Sequence, residues 1–293
     1  MILFRFTFLF FICFFSKIFS ETSIKLVSPP WGYVFNDWDG PPIDVINYIP
    51  PNATQHTPLL VVIPGASRDA QRFHASWLDL AKKYHFSVLT IGATKEYFPD
   101  EYSYNAGNVI DEKGNSINKS KWLFSAIEMI FNDFKKRHGF EIESFNLFGH
   151  SAGGGFVHRY LLFNPSAPVK KAVSANPAFV TLPDHGIKYP FGLKKTPLKK
   201  LNIKSWFNQN MAIVLGSNDL GPRTKPLSNG PIAKSQGPNC LTRGKLLFQE
   251  ATTMAKRKKY QLNWKLIIAN GVGHDNYSIA PVACNYLFDL KNK

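Results

Sequence analysis

Three residues whose types suit covalent catalysis occur in the order serine, aspartate, histidine along this chain of 293 residues. Ser151 lies in a Gly-His-Ser-Ala-Gly pentapeptide that follows an apolar, strand-like run and precedes a helical one. Asp219 follows the apolar run Met211–Leu215, and His274 follows a later run of the same kind. A serine hydroxyl becomes a good nucleophile when a histidine takes its proton and a carboxylate orients that histidine. The pattern therefore predicts a triad of Ser151, His274 and Asp219.

Each of these residues also has an ordinary structural interpretation. The pentapeptide could be a packing turn of small residues, Asp219 a turn or helix cap, and His274 a surface loop residue. Three other histidines fit the order less well: His150 lies inside the pentapeptide, His158 on the helix after it, and His185 in an insertion between strands. Because each candidate follows its own strand in the expected order, the catalytic interpretation is favoured.

Attack by the serine places negative charge on a substrate oxygen, and backbone N–H groups must stabilise that charge. The Ala152 amide, directly after the nucleophile, is the first predicted donor. The second is expected in the loop after the apolar run Leu59–Ile63, where a Pro-Gly pair opens the turn. Ala66 is the preferred residue there, and Ser67 is the alternative.

Two long segments between the predicted elements could form the walls of a substrate pocket. Residues 92–118 include Tyr104 and Asn105, and residues 176–210 include Tyr189. We predict that these three side chains line the pocket, as parts of a lid or wall. The alternative is an ordinary pair of surface loops whose aromatic residues are buried.

The remaining sequence alternates between strand-like and helix-like runs. Continuous apolar runs such as Leu59–Ile63 are typical of strands buried on both faces of a parallel sheet. Helical spacing of apolar residues marks residues 69–84 and 152–163, among others. The alternation predicts an α/β fold with a mostly parallel central sheet and helices on both faces. A single domain of residues 21–293 is expected to form this fold, and residues 21–42 are expected to be an irregular arm at its start.

Residues 1–20 have the features of a signal peptide. Arg5 precedes the nearly unbroken apolar run Phe6–Phe15, and Ser20 stands where cleavage would occur. This predicts an exported protein, secreted or periplasmic. A retained membrane anchor is the alternative.

The formal net charge is +15, which is strongly basic. It suggests an anionic partner such as a cell-envelope surface, although a solvated, lysine-rich surface explains it equally well. No nucleic-acid-binding motif accompanies the charge, so no nucleic-acid partner is predicted.

Cys240 and Cys284 remain after removal of the predicted signal peptide, and an even count in an exported protein makes them a candidate disulfide. The sequence has no His-x-x-x-His or Cys-x-x-Cys spacing and no phosphate-binding glycine loop. Neither a metal nor another cofactor is therefore predicted.

From Ile43 onwards the chain resembles the polyhydroxybutyrate depolymerase-like esterases of the α/β-hydrolase superfamily. The segments that carry the resemblance are residues 61–68, 104–109, 149–153, 156–159, 189–193 and 271–275. The resemblance implies the α/β-hydrolase fold and maps the family's triad onto Ser151, Asp219 and His274. The sequence has no appended polymer-binding domain and no Ser/Thr-rich linker, so a soluble small-molecule or oligomeric ester is the expected substrate rather than a polymer.

Together these observations predict an exported serine hydrolase that cleaves short-chain or oligomeric carboxylic esters through an acyl-enzyme. One alternative is a serine peptidase or an acyltransferase that uses the same triad. The other is a non-catalytic, basic protein of the cell envelope built on a hydrolase scaffold. The oligomeric state does not follow from the sequence.

Overall fold

A twisted sheet of eight strands organises the described part of the chain. The computed structural model describes residues 32–197, 201–221 and 230–290. The predicted signal peptide, residues 1–20, lies outside these described residues and stays a prediction.

Six consecutive strands of the sheet, from β4 to β8, form parallel pairs. Their order across the sheet is β1-β2-β4-β3-β5-β6-β7-β8. The β1–β2 and β2–β4 pairs are antiparallel, and all other neighbours are parallel. The strands are β1 (Gly32–Phe35), β2 (Ile43–Tyr48), β3 (Leu59–Ile63), β4 (Ser87–Gly92), β5 (Phe145–His150), β6 (Val169–Ala175), β7 (Met211–Gly216) and β8 (Lys265–Ala269).

In the described ranges, seven α-helices connect and cover the strands. They are α1 (Ala70–Tyr84), α2 (Leu123–His138), α3 (Ala152–Phe163), α4 (Ile203–Asn208), α5 (Pro231–Ser235), α6 (Cys240–Lys258) and α7 (Asn276–Leu287). None of the helices in the described ranges is long and apolar enough to cross a membrane.

Two hydrophobic clusters fill the two faces of the sheet. Side chains of α2, α3, α4 and α6 join one cluster, which includes Phe156, Trp206 and Leu247. Side chains of α1 and α7 join the other, which includes Trp77 and Ile279. Burial on both faces explains why the central strands are continuous apolar runs. The predicted α/β-hydrolase fold is confirmed, with a mostly parallel sheet and helices on both faces.

Parts of the local prediction are wrong. Residues 21–42 were expected to be an irregular arm, but Gly32–Phe35 forms the edge strand β1 and pairs with β2. This strand has only four residues, so it is shorter than the apolar runs that mark the inner strands. The short helices α4 and α5 also lack a predicted counterpart.

The candidate disulfide is not formed. Cys240 begins α6 and Cys284 lies in α7, and both are buried thiols that are not bridged to each other. The two helices pack on opposite faces of the sheet.

Candidate active site

Ser151 occupies a sharp turn between the end of β5 and the start of α3. Its backbone has φ 61° and ψ −116°, a conformation that L-residues rarely adopt. The flanking glycines are required by close approach: a Cβ on Gly149 would lie 2.1 Å from the carbonyl oxygen of Gly153. A Cβ on Gly153 would lie 2.1 Å from the carbonyl oxygen of Ile63. This geometry is that of a nucleophile elbow, which holds a serine side chain at the end of the sheet.

The structure brings Asp219 and His274 together. His274 Nδ1 lies 2.7 Å from Asp219 Oδ2, although 55 residues separate them in sequence. The Asp219 side chain is 1% exposed and the His274 side chain 25% exposed. A carboxylate that accepts a hydrogen bond from Nδ1 orients the imidazole and leaves Nε2 as the proton acceptor.

The loop that carries His274 lies against the elbow. The His150 ring, next in sequence to Ser151, packs on the His274 ring with a centroid separation of 4.5 Å. The end of β7 also lies against the loop that carries His274, because a Cβ on Gly216 would lie 2.4 Å from the carbonyl oxygen of Val272. All three predicted triad residues therefore lie on adjacent loops at the carboxyl edge of the sheet, where ligands bind in such folds.

Asn176 links these three loops, and sequence reasoning did not identify it. Its Oδ1 accepts a hydrogen bond from the Gly216 amide at 2.8 Å. Its Nδ2 donates to His150 Nε2 at 3.3 Å and to the Gly273 carbonyl at 3.4 Å. Asn176 is fully buried, with φ 41°, so its position is imposed by its surroundings. The sequence signal that could have identified Asn176 was a polar residue directly after β6, at the same edge of the sheet as the other loops.

The turn predicted to supply the second oxyanion donor runs beside Ser151. A Cβ on Gly65 would lie 3.5 Å from Ser151 Cβ. Within the described ranges, neither the Ala66 amide nor the Ala152 amide donates to another backbone carbonyl. The assignment of both amides to the oxyanion hole stays a prediction. The choice between Ala66 and Ser67 as second donor stays a prediction.

The three residues predicted to line the pocket are buried instead. Tyr104, Asn105 and Tyr189 are 1%, 3% and 4% exposed. The Tyr104 hydroxyl donates to the Pro64 carbonyl at 2.6 Å, and the Tyr189 hydroxyl donates to the Ala106 carbonyl at 2.7 Å. Each phenol binds a backbone carbonyl that would otherwise be buried without a partner. The two tyrosines therefore support the loops, and the pocket wall formed by the three residues stays a prediction.

Arg159 holds the two long loops together. It is fully buried on α3, and its Nε donates to Thr181 Oγ1 at 2.7 Å. Its Nη1 donates to the Asn105 carbonyl at 3.2 Å, and its Nη2 donates to the Pro190 carbonyl at 3.4 Å. Burial lowers the pKa of this guanidinium to about 10, so it stays charged at neutral pH. An arginine within an otherwise apolar helix was the sequence signal.

His158 is a structural residue in this arrangement. Its Nδ1 lies 3.0 Å from the Gly154 carbonyl oxygen, and its Nε2 accepts a hydrogen bond from the Thr181 amide at 3.0 Å. Burial, with the nearby Arg159 charge, lowers the pKa of His158 well below its usual value. Both ring nitrogens of His158 form hydrogen bonds in the core, so His158 is not available as an alternative to His274 for the role of general base.

Known proteins support the same class. Residues 116–230 match a family model described as the alpha/beta hydrolase fold. The chain is 33% identical to poly(aspartic acid) hydrolase-1 from Sphingomonas sp. KT-1, over 88% of this chain and 97% of that one, with a TM-score of 0.83. It is 26% identical to LpqC, a poly(3-hydroxybutyrate) depolymerase from Bordetella parapertussis, over 89% of each chain, also with a TM-score of 0.83.

A more distant structure shares the fold alone: siderophore hydrolase EstB from Aspergillus nidulans, 13% identical over 91% of this chain and 97% of that one, with a TM-score of 0.55. No curated protein sequence matches the chain significantly. The fold and the 33% identity over nearly the full length of a solved hydrolase define the class. The chain belongs to the α/β hydrolases, and within them it resembles the polyhydroxybutyrate depolymerase-like esterases.

Proposed function

We propose that this protein is a serine hydrolase of carboxylic esters, with Ser151 as nucleophile, His274 as general base and Asp219 as the residue that orients the base. The observation that carries the proposal is the 2.7 Å contact between His274 Nδ1 and Asp219 Oδ2 beside a serine in an elbow conformation. A buried carboxylate, an oriented imidazole and a serine at a strand-to-helix turn together supply the parts of acyl transfer.

The mechanism follows from these positions. His274 Nε2 takes the hydroxyl proton while Ser151 Oγ attacks the acyl carbon. The Ala152 and Ala66 amides stabilise the oxygen that becomes negatively charged. His274 then gives the proton to the departing alcohol, which leaves an acyl-enzyme. Water, deprotonated by His274, releases the acid and restores Ser151.

A second substrate class has specific support, namely amide bonds in an anionic polymer. The solved protein that is 33% identical is named a poly(aspartic acid) hydrolase. The formal net charge of +15 would attract a polyanion and raise its local concentration. The same triad serves both chemistries, because His274 can protonate a departing amine as well as an alcohol.

One set of assays tests both candidates. Wild-type protein should hydrolyse short p-nitrophenyl esters and should be labelled by a fluorophosphonate at Ser151. Ser151→Ala should lose labelling and lose at least about 10³-fold in kcat while keeping its circular dichroism spectrum. Undiminished turnover by this variant would overturn the proposal, and absence of labelling in the wild type would favour the non-catalytic alternative.

Product analysis then separates the substrates. Release of 3-hydroxybutyrate from its oligomers indicates the esterase, and shortened chains from poly(aspartic acid) indicate the amidase. Transfer of the acyl group to an added alcohol or amine would indicate an acyltransferase.

Export is also part of the proposal, on the strength of the apolar run in residues 1–20. Expression of the full chain with its own N-terminus, followed by N-terminal sequencing of the mature protein, tests it. A mature protein beginning near Glu21 is expected, and one retaining residues 1–20 in the membrane fraction would support the anchor instead.

A further inference from the structure

A thiol lies beside the aspartate–histidine pair. Cys240 is the first residue of α6, and its Sγ, a carboxylate oxygen of Asp219 and an imidazole nitrogen of His274 all lie within 4.8 Å of one another. The three residues are 21 and 34 positions apart in sequence, since 240 − 219 = 21 and 274 − 240 = 34. No short metal-binding motif could therefore have indicated them.

We propose that Cys240, Asp219 and His274 form an inhibitory site for a thiophilic divalent cation, Zn²⁺ or Cd²⁺. One sulfur, one nitrogen and one oxygen ligand are the donors that zinc binds in proteins. Three protein ligands leave a fourth position for water, as in a tetrahedral site that is open on one side. Binding itself depends on the fold alone, whereas its inhibitory effect rests on the proposed function.

The required movement is small. In a tetrahedral zinc site the metal lies about 2.3 Å from sulfur and about 2.0–2.1 Å from nitrogen or oxygen, which puts the ligand atoms about 3.3–3.7 Å apart. Atoms already within 4.8 Å of one another reach those separations by shifts of about 1 Å. The Asp219 oxygen and His274 nitrogen, at 2.7 Å, would move slightly apart to admit the ion.

The protonation balance is simple. The Cys240 thiol releases its proton to solvent, and the proton of His274 Nδ1 moves to Nε2, so that the neutral imidazole binds the ion through Nδ1 and the ion lies between Nδ1 and Oδ2.

The surroundings suit a reversible inhibitor rather than a permanent structural metal. Asp219 and Cys240 are buried, and His274 is partly exposed, so the ion would enter along the histidine. With Nδ1 bound to a cation, Asp219 no longer orients the imidazole for Ser151. The general base is then lost, and acyl transfer stops.

The experiment uses the purified full chain after dialysis against a chelator. Cd²⁺ titrated into the Ser151→Ala variant should produce the ultraviolet cadmium–thiolate absorption band, saturating at one ion per chain. Cys240→Ser should abolish the band and weaken cadmium inhibition of the catalytically intact protein by at least about tenfold. Cys284→Ser is the matched control, because it removes an equally buried thiol on the other face of the sheet.

Each outcome decides the inference. A band that persists in Cys240→Ser, or that disappears in Cys284→Ser instead, overturns it. Inhibition that a chelator does not reverse also overturns it. If Cys240→Ser fails to fold by circular dichroism, Cys240→Ala and Asp219→Asn provide the same comparison in the Ser151→Ala background. A cadmium band with no esterase or amidase activity in the wild type would retain the site and reject the proposed function.

Discussion

The phenol hydroxyl of Tyr104 donates to the carbonyl of Pro64 at 2.6 Å and so fixes the turn that passes beside Ser151. Arg68, at the far end of that turn, stacks on the Tyr104 ring with its guanidinium carbon 3.5 Å from the centroid. Tyr104, which was expected to line the substrate pocket, thus contacts the turn whose backbone amide is predicted to bind the oxyanion.

Tyr104→Phe should therefore lower kcat by about tenfold with little change in KM, because a displaced oxyanion donor weakens the transition state alone. Tyr189→Phe is the matched control. It removes an equally buried phenol-to-carbonyl hydrogen bond, to Ala106 at 2.7 Å, away from the turn. Both variants should lose about 1 kcal/mol of unfolding free energy. Equal losses of kcat would show that Tyr104 has a purely structural role.

Asn176→Ala should reduce kcat by about 10- to 100-fold while KM stays nearly constant, because the three loops that carry the triad lose their common hydrogen-bonding partner. Steady-state kinetics with a p-nitrophenyl ester measures the effect. Asn146→Ala is the control, since Asn146 is buried on the same sheet but donates to the Leu287 carbonyl. If both variants lose kcat only in proportion to their folded fraction, the positioning role is rejected.

Asp219→Asn should lower kcat by about 10⁴-fold without unfolding the protein, because an amide cannot hold the imidazole in the required tautomer. Asp275→Asn, one residue after His274, is a close control. Asp275 caps α7 through the Ser278 amide at 2.8 Å, and asparagine caps helices equally well. Its kcat should stay within about twofold of the wild type. A small effect at Asp219 would contradict the assigned triad.

His74 makes stability depend on pH. Burial lowers the pKa of His74 to about 4, and its Nδ1 lies 3.0 Å from Thr90 Oγ1. Below about pH 6.5 the unfolded chain binds a proton that the folded chain does not, so the unfolding free energy falls as the pH drops towards 4. This residue should contribute a loss of about 2 kcal/mol between pH 7 and pH 5.

Urea titrations at the two pH values measure that loss. His74→Gln, which keeps a polar partner for Thr90, should show a loss smaller by that amount. The control is His56→Gln, which removes an exposed histidine instead of the buried His74. An unchanged pH dependence in His74→Gln would contradict the assignment.

The central strands and the order of the triad could be read from the sequence because both are local patterns. Runs such as Met211–Leu215 reflect burial on both faces of the sheet, and Ser151, Asp219 and His274 each follow such a run. The strand Gly32–Phe35 was not predicted because it is only four residues long and lies in a segment rich in proline and tryptophan.

Other features depend on contacts between distant segments, which no local pattern encodes. The sequence predicts that Tyr104 and Tyr189 line a pocket. In the structure their hydroxyls donate hydrogen bonds to backbone carbonyls in the core. Whether Cys240 and Cys284 could form a disulfide depended on which face of the sheet each helix covers. Asn176 acts through three loops that meet only in the folded chain.

The backbone of Ser151 has a consequence for how this protein can evolve. A φ of 61° costs an ordinary residue about 1–3 kcal/mol, and glycine adopts it without that cost. An inactive chain with glycine at position 151 should therefore melt at a higher temperature than the active one. A substitution at this position that raises the melting temperature thus removes catalysis. A search for heat-resistant variants that ignores activity would therefore tend to select variants that lack Ser151.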